Sequence, residues 1–107
     1  MVRFIADTAS SHELLVRTFG HMGDNLHPTF LVDERNADEM RRVHIALDAI
    51  VIETIRLGGT ITGEHGVGLA KKRWLRQQVG DNSYALMKQL KQTLDPQCLL
   101  NPGEVFD

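Results

Sequence analysis

Between Asn36 and Leu57, apolar residues recur at spacings of three and four. Met40, Val43, Leu47, Ile50, Val51 and Ile55 form one stripe, the mark of a helix buried along one face. Arg41, Arg42, Asp48 and Glu53 fall mostly off that stripe. Asn36 with Glu39 makes a start of the capping-box type, and Gly58-Gly59 supplies a C-terminal stop. Upstream, Val2, Ile5, Ala6 and Ala9 have helical spacing that breaks at Ser10-Ser11-His12, so a short helix ending near Ser11 is expected. Leu14 to Phe19 and Thr29 to Val32 are rich in β-formers and read as two strands. Thr60-Ile61-Thr62 is a third, shorter β-like run. Val67 to Val79 reads as helical, with Leu69, Trp74, Leu75 and Val79 apolar and a basic face of Lys71, Lys72, Arg73 and Arg76 expected to be solvated. Asp81-Asn82-Ser83 can cap a last helix carrying Leu86, Met87, Leu90 and Leu94, which Asp95-Pro96 ends. The pattern predicts an α+β fold: a small antiparallel or mixed sheet, a long helix across one face, then C-terminal helices.

A chain of 107 residues is enough for one core, so residues 1–107 read as a single domain. A formal net charge of -2 gives no broad attraction to nucleic acid or anionic lipid. Nothing approaches the ~18 consecutive apolar residues that a membrane span needs. The single cysteine, Cys98, excludes an internal disulfide framework and fits a reducing, cytoplasmic compartment. Beside Leu99 and Leu100 it reads as a packed small hydrophobe.

Chemistry concentrates in two stretches. Five of the nine glycines lie between Gly58 and Gly68, where Glu64-His65 is bracketed by Gly63 and Gly66. Glycine permits a tight turn that presents both side chains to one side; the alternative is a glycine-rich loop with polar groups facing water. The second stretch is His21 to His27. If Gly23-Asp24-Asn25 forms the loop of a hairpin, Met22 opposes Leu26 and His21 opposes His27, bringing two imidazoles together. Paired histidines within reach of a carboxylate suit zinc, manganese or iron(II); a surface hairpin can also carry two histidines by accident. No glycine-rich phosphate loop of the dinucleotide type occurs. The apolar, turn-rich tail from Leu99 to Phe106 is expected to dock, on this chain, on a partner or on a second copy.

Four motifs occur in order: His21-x-Gly23-Asp24-Asn25-Leu26-His27-Pro28, Gly58-Gly59-Thr60-Ile61-Thr62-Gly63-Glu64-His65-Gly66-Val67-Gly68, Leu94-Asp95-Pro96 and Leu100-Asn101-Pro102-Gly103. From Phe19 to Phe106 the chain resembles the C-terminal domain of FAD-linked oxidases, the family of glycolate oxidase, D-lactate dehydrogenases and D-2-hydroxyglutarate dehydrogenase. The resemblance implies a cap over the flavin and substrate of an FAD-dependent enzyme acting on a small 2-hydroxy acid. The FAD would be held mainly by a separate FAD-binding domain. It further implies that His21, His27 and Glu64 bind a divalent metal, that His65 is the base for the substrate hydroxyl, and that Asn25 and Asn101 lie on the flavin side. The family pattern is His-x-Gly-Asp-Gly-Asn-x-His. Here one glycine is missing between Asp24 and Asn25 and the histidines stand six apart. Either the turn absorbs the deletion or one histidine swings to the other face.

These residues suit oxidation of a 2-hydroxy acid. Histidine is the usual base near neutral pH for the hydroxyl proton, and the hydride requires an acceptor that no side chain provides. Two alternatives stand beside that reading: a non-catalytic metal-binding module built on His21, His27 and Glu64, and an association module that buries the Leu86 to Leu94 face and the tail.

Overall fold

Helix α1 spans Val2–Ser11 in a computed structural model that describes residues 1–21 and 23–107. The described residues group into two units, Met1–Gly59 and Thr60–Asp107. The architecture is α+β, with four helices and one two-stranded antiparallel sheet among the described residues.

In the first unit the chain leaves α1 through Glu13, at φ 55°, and enters β1, Leu15–His21. Strand β2, Asn25–Leu31, runs back antiparallel to it. Helix α2, Ala37–Arg56, begins at Asn36, whose side chain accepts the backbone N–H groups of Asp38 and Glu39. Glu39 reaches back to the Asp33 N–H at 3.0 Å, upstream of the Asn36 N–H that a strict capping box would use. The helix stops as its glycines predict. Gly58 turns to φ 80°, and the Gly58 and Gly59 N–H groups donate to the Ile55 and Thr54 carbonyls at 3.0 and 2.9 Å. That is a Schellman closure.

The core of this unit joins Ala9 and Leu14 to Val43 and Ala46 of α2, with Val16, Phe30, Val32 and Leu47 packed against it. The long helix therefore covers the inner face of the hairpin. Ala46, fully buried, belongs to the contact face although it lies off the stripe of large apolar residues. Arg42 ties α2 to the end of α1 by donating to the His12 and Glu13 carbonyls at 2.9 and 3.0 Å.

In the second unit, α3 covers Lys72–Val79 and α4 covers Asp81–Leu94. The expected third strand is absent among the described residues. The Thr60 hydroxyl bonds the Thr62 carbonyl at 2.8 Å, and the Ile61 N–H goes to the Gln78 side chain at 2.7 Å. Local β propensity has no partner strand here to realise it. Helix α3 also starts five residues later than expected, because Gly66 and Gly68 take φ values of 77° and 51°, outside the helical region. Asp81 does not cap α4; its carboxylate pairs with Arg76 at 2.7 Å instead.

The tail docks on its own unit. Val105 N–H donates to the Gly68 carbonyl at 2.9 Å, Phe106 packs edge-on against Tyr84 at 5.6 Å, and Lys72 pairs with Asp107 at 2.9 Å. The basic face of α3 is thus partly engaged rather than wholly solvated. Cys98 is exposed, as are Leu99 and Leu100, which corrects the expectation of a packed thiol. No helix among the described residues is long and apolar enough to cross a membrane.

Candidate functional site

The hairpin carries the first set of chemical groups. Its strands run further than expected: the histidine motif lies on β1 and β2 themselves instead of in a loop between them. His21 pairs with Asn25, Gly20 with Leu26 and Phe19 with His27. The expected opposition of His21 to His27 is therefore corrected by one step along each strand. The other expected pair involved Met22, which lies outside the described residues; its intended partner Leu26 faces Gly20. The Asn25 side chain gives the physical reason. Its Oδ1 accepts the His21 backbone N–H at 3.3 Å, drawing Asn25 into the strand while Gly23, at φ 76°, makes the turn.

The step preserves the face. Opposed residues share a side of the sheet, and side chains two apart on one strand return to that side. Phe19, His21, Asn25 and His27 therefore all stand on the outer face, opposite the inward Val16 and Phe30. The two imidazoles lie 6.1 Å apart, edge to face. The Phe19 ring stacks on His27 at 4.9 Å with the planes 7° apart.

Asn25 sits between the histidines. Its Oδ1 lies 3.1 Å from His21 Nδ1 and 3.0 Å from His27 Nε2, while its Nδ2 donates to Asp24 Oδ2 at 3.4 Å. The carboxylate only accepts, so the amide nitrogen belongs on that side and the oxygen faces the rings. Both rings then present N–H to Asn25, as His21 Nδ1–H and His27 Nε2–H. That assignment puts the remaining lone pair of each ring on His21 Nε2 and His27 Nδ1. Two imidazoles gathered on a shared acceptor fit the donor set of a divalent transition metal. The resemblance set Asn25 on the flavin side; its contacts here are with the histidines.

Gly20 is a residue that sequence reasoning passed over. A Cβ built there would lie 2.0 Å from the Asn25 carbonyl oxygen, so the strands come together at this point only because residue 20 has no side chain.

The second set belongs to the other unit. Glu64 and His65 are both exposed, with His65 Nε2 3.8 Å from Glu64 Oε1, so the two side chains lie on one side of their loop as expected of a turn near Gly66. The Thr62 hydroxyl just before them is buried and has no hydrogen-bond partner among the described residues. Asn101 is exposed at φ 46° and its carbonyl accepts the Glu104 N–H at 3.2 Å. It borders a shallow depression with Lys91, Leu100 and Phe106.

Asp95 organises the segment before Asn101, a role that the Leu94-Asp95-Pro96 motif alone does not disclose. Buried among its partners, its carboxylate accepts the Leu99 and Leu100 N–H groups at 3.0 Å each and pairs with Lys91. Lys91 also donates to the Leu100 carbonyl at 2.7 Å. The Lys91 ammonium first, then the two amides, hold the Asp95 carboxyl below its ordinary range.

This is an α+β chain that carries a histidine-bearing hairpin in its first unit and a glycine-bracketed Glu-His pair in its second. Its sequence matches the family model described as FAD linked oxidases, C-terminal domain, over residues 1–105, and the chain belongs to that family. It is 49% identical over 107 residues to the glycolate oxidase subunit GlcD of Bacillus subtilis, covering 99% of this chain and 23% of that protein. It is 37% identical over 93 residues to the mitochondrial D-lactate dehydrogenase [cytochrome] of Kluyveromyces lactis, 87% of this chain and 16% of the other. It is 36% identical over 115 residues to the D-2-hydroxyglutarate dehydrogenase of Xanthomonas citri pv. viticola, 100% of this chain and 24% of the other. The chain thus spans less than a quarter of the length of these curated relatives.

Proposed function

We propose that this chain is the substrate-side cap of an FAD-dependent oxidoreductase acting on a small 2-hydroxy acid of the glycolate or D-lactate type, with the FAD held mainly by a partner FAD-binding domain. Membership of the family supports this reading, as do the activities for which the relatives are named. The observation that carries it within this chain is the His21–Asn25–His27 cluster, which gathers two imidazoles around one amide on one face of the hairpin.

In this reading His21, His27 and Glu64 hold a divalent metal, zinc, manganese or iron(II). Such an ion would stabilise the alkoxide that develops on the substrate hydroxyl, and the flavin would supply the hydride acceptor. His65 takes the hydroxyl proton as general base. Asn25 orients both ligand histidines, and Asn101 faces the flavin side. The exposed Leu86, Leu90 and Leu94 of α4, with Leu99 and Leu100, offer an apolar surface to the FAD-binding domain. An exposed thiol at Cys98 suits a reducing, cytoplasmic setting.

The test combines the purified chain with a candidate FAD-binding subunit and measures oxidation of glycolate and D-lactate with an artificial electron acceptor. The expected result is a rate above that of the flavin subunit alone, lost in His65→Gln. No gain in rate overturns the catalytic reading. Elemental analysis of the chain and of His27→Ala tests the metal separately: stoichiometric zinc, manganese or iron in the former only is expected, and none in either removes the metal.

A further inference from the structure

The outer face of the hairpin carries one more charged group. Alternation along β1 places Leu15, Arg17, Phe19 and His21 on this face and turns Val16 and Thr18 inward, as their burial shows. From β2 the same face receives Asn25, His27, Thr29 and Leu31 through the pairs His21–Asn25, Phe19–His27, Arg17–Thr29 and Leu15–Leu31. Arg17 is the only lysine or arginine among these eight residues. Its side chain is exposed and has no ion pair or hydrogen bond among the described residues. Four of the five other arginines of this unit differ: Arg35, Arg41, Arg42 and Arg56 each pair with a carboxylate, and Arg3 lies away from the hairpin on α1.

The register fixes where this cation stands. Arg17 faces Thr29, so it is the diagonal neighbour of His27, two residues along the partner strand. Diagonal neighbours in an antiparallel pair lie about 7–8 Å apart, within reach of a long side chain. The guanidinium stays charged at every accessible pH, and its fork matches a carboxylate in two parallel hydrogen bonds. Thr29 sets a hydroxyl opposite it, and the exposed Leu15 and Leu31 flank the outer side. An anionic group one short spacer beyond a ligand seated at His21 and His27 meets this guanidinium.

We propose that Arg17 is a specificity-determining residue that binds the second carboxylate of a 2-hydroxy diacid, whose hydroxyl-bearing end lies at the His21–His27 pair. The inference rests on the proposed placement of the hydroxy acid at those histidines. Diacids with one or two methylenes between the carbinol carbon and the far carboxylate have the length for this span; D-malate and D-2-hydroxyglutarate are of this kind. Glycolate and D-lactate leave Arg17 to water.

The test titrates the 15N-labelled full chain with D-malate and with D-lactate, with and without zinc, and follows the Arg17 Nε–H and the histidine ring signals by NMR. D-malate is expected to shift the Arg17 signal and to bind roughly five- to tenfold more tightly than D-lactate, the worth of a partly solvated charge-assisted pair. Arg17→Ala should erase that preference and leave D-lactate binding unchanged, and Arg17→Lys should keep only part of it. Equal affinities for the two acids, a preference that survives Arg17→Ala, or no response of the Arg17 signal in either condition overturns the proposal. Histidine rings that ignore zinc while Arg17 still responds to D-malate fault the metal reading and leave the anchor standing.

Discussion

Replacing Gly20 by alanine tests the architecture under the histidines. The added methyl would lie 2.0 Å from the Asn25 carbonyl oxygen, 3.0 Å from its carbonyl carbon and 3.1 Å from the Leu26 Cα. All three are backbone atoms, so no rotamer change relieves the contact and the strands themselves must separate. Forced overpacking costs about 1–3 kcal/mol, and each ladder hydrogen bond lost with the separation adds ~1 kcal/mol. About 3 kcal/mol together is roughly a hundredfold in the folding equilibrium. That is a large share of the 5–15 kcal/mol typical of a domain. Urea unfolding should show a lower midpoint at unchanged slope, and the His27 ring resonances should lose the upfield displacement that stacking on Phe19 imposes. A Gly20→Ala chain within about 0.5 kcal/mol of the wild type, with His27 still stacked, refutes the register.

Three further outcomes follow from the same geometry. Asn25→Ala removes the shared acceptor of both imidazoles, so zinc affinity should fall about 10–100-fold; an unchanged isotherm counts against Asn25 as the orienting group. Asp95 has a folded-state pKa below its ordinary value of 3.8. Its contribution is therefore fully present above that value and is lost as pH falls through the folded pKa. Leu99 and Leu100 amides should lose hydrogen-exchange protection only as pH falls below 3.8 and through the lowered folded pKa, and Asp95→Asn should reproduce the loss at neutral pH; protection that persists in the variant removes Asp95 from this role. Thr62→Val deletes a buried hydroxyl without a partner, so it should raise stability by about 1 kcal/mol, and a destabilised variant would show that the hydroxyl is satisfied in solution.

What is legible in the sequence divides along physical lines. Helix α2 is readable because periodicity, Asn36 and Gly58-Gly59 all agree, and each realises its expected bond. The hairpin is readable but its register is not. Gly23-Asp24-Asn25 has turn chemistry throughout, yet Asn25 bonds the His21 N–H and joins the strand, a choice made by one side chain. Thr60 to Thr62 has β propensity without a partner strand, so the propensity goes unused. Gly20 and Asp95 are opaque for a different reason: their importance is a close approach and a convergence of amides, and neither leaves a periodic trace. The pairing of Glu64 with His65 on one side of the loop is legible because glycine at position 66 is what such a turn requires.

The missing glycine illustrates how the core governs the outer face. Val16 and Phe30 hold the inner side of the hairpin to Val43 and Ala46, and alternation then fixes what the other side presents. A residue deleted within either strand would turn every side chain beyond it to the wrong face, exchanging His27 for an inward position or Phe30 for an outward one. A deletion between Asp24 and Asn25 falls where pairing has ended, since His21 and Asn25 are the last opposed residues. There it shortens the connection without disturbing the alternation along either strand. Both histidines keep the outer face and the core keeps Val16 and Phe30. The loop is the one part of the motif where a residue can be lost while the packing that orients the imidazoles stays intact.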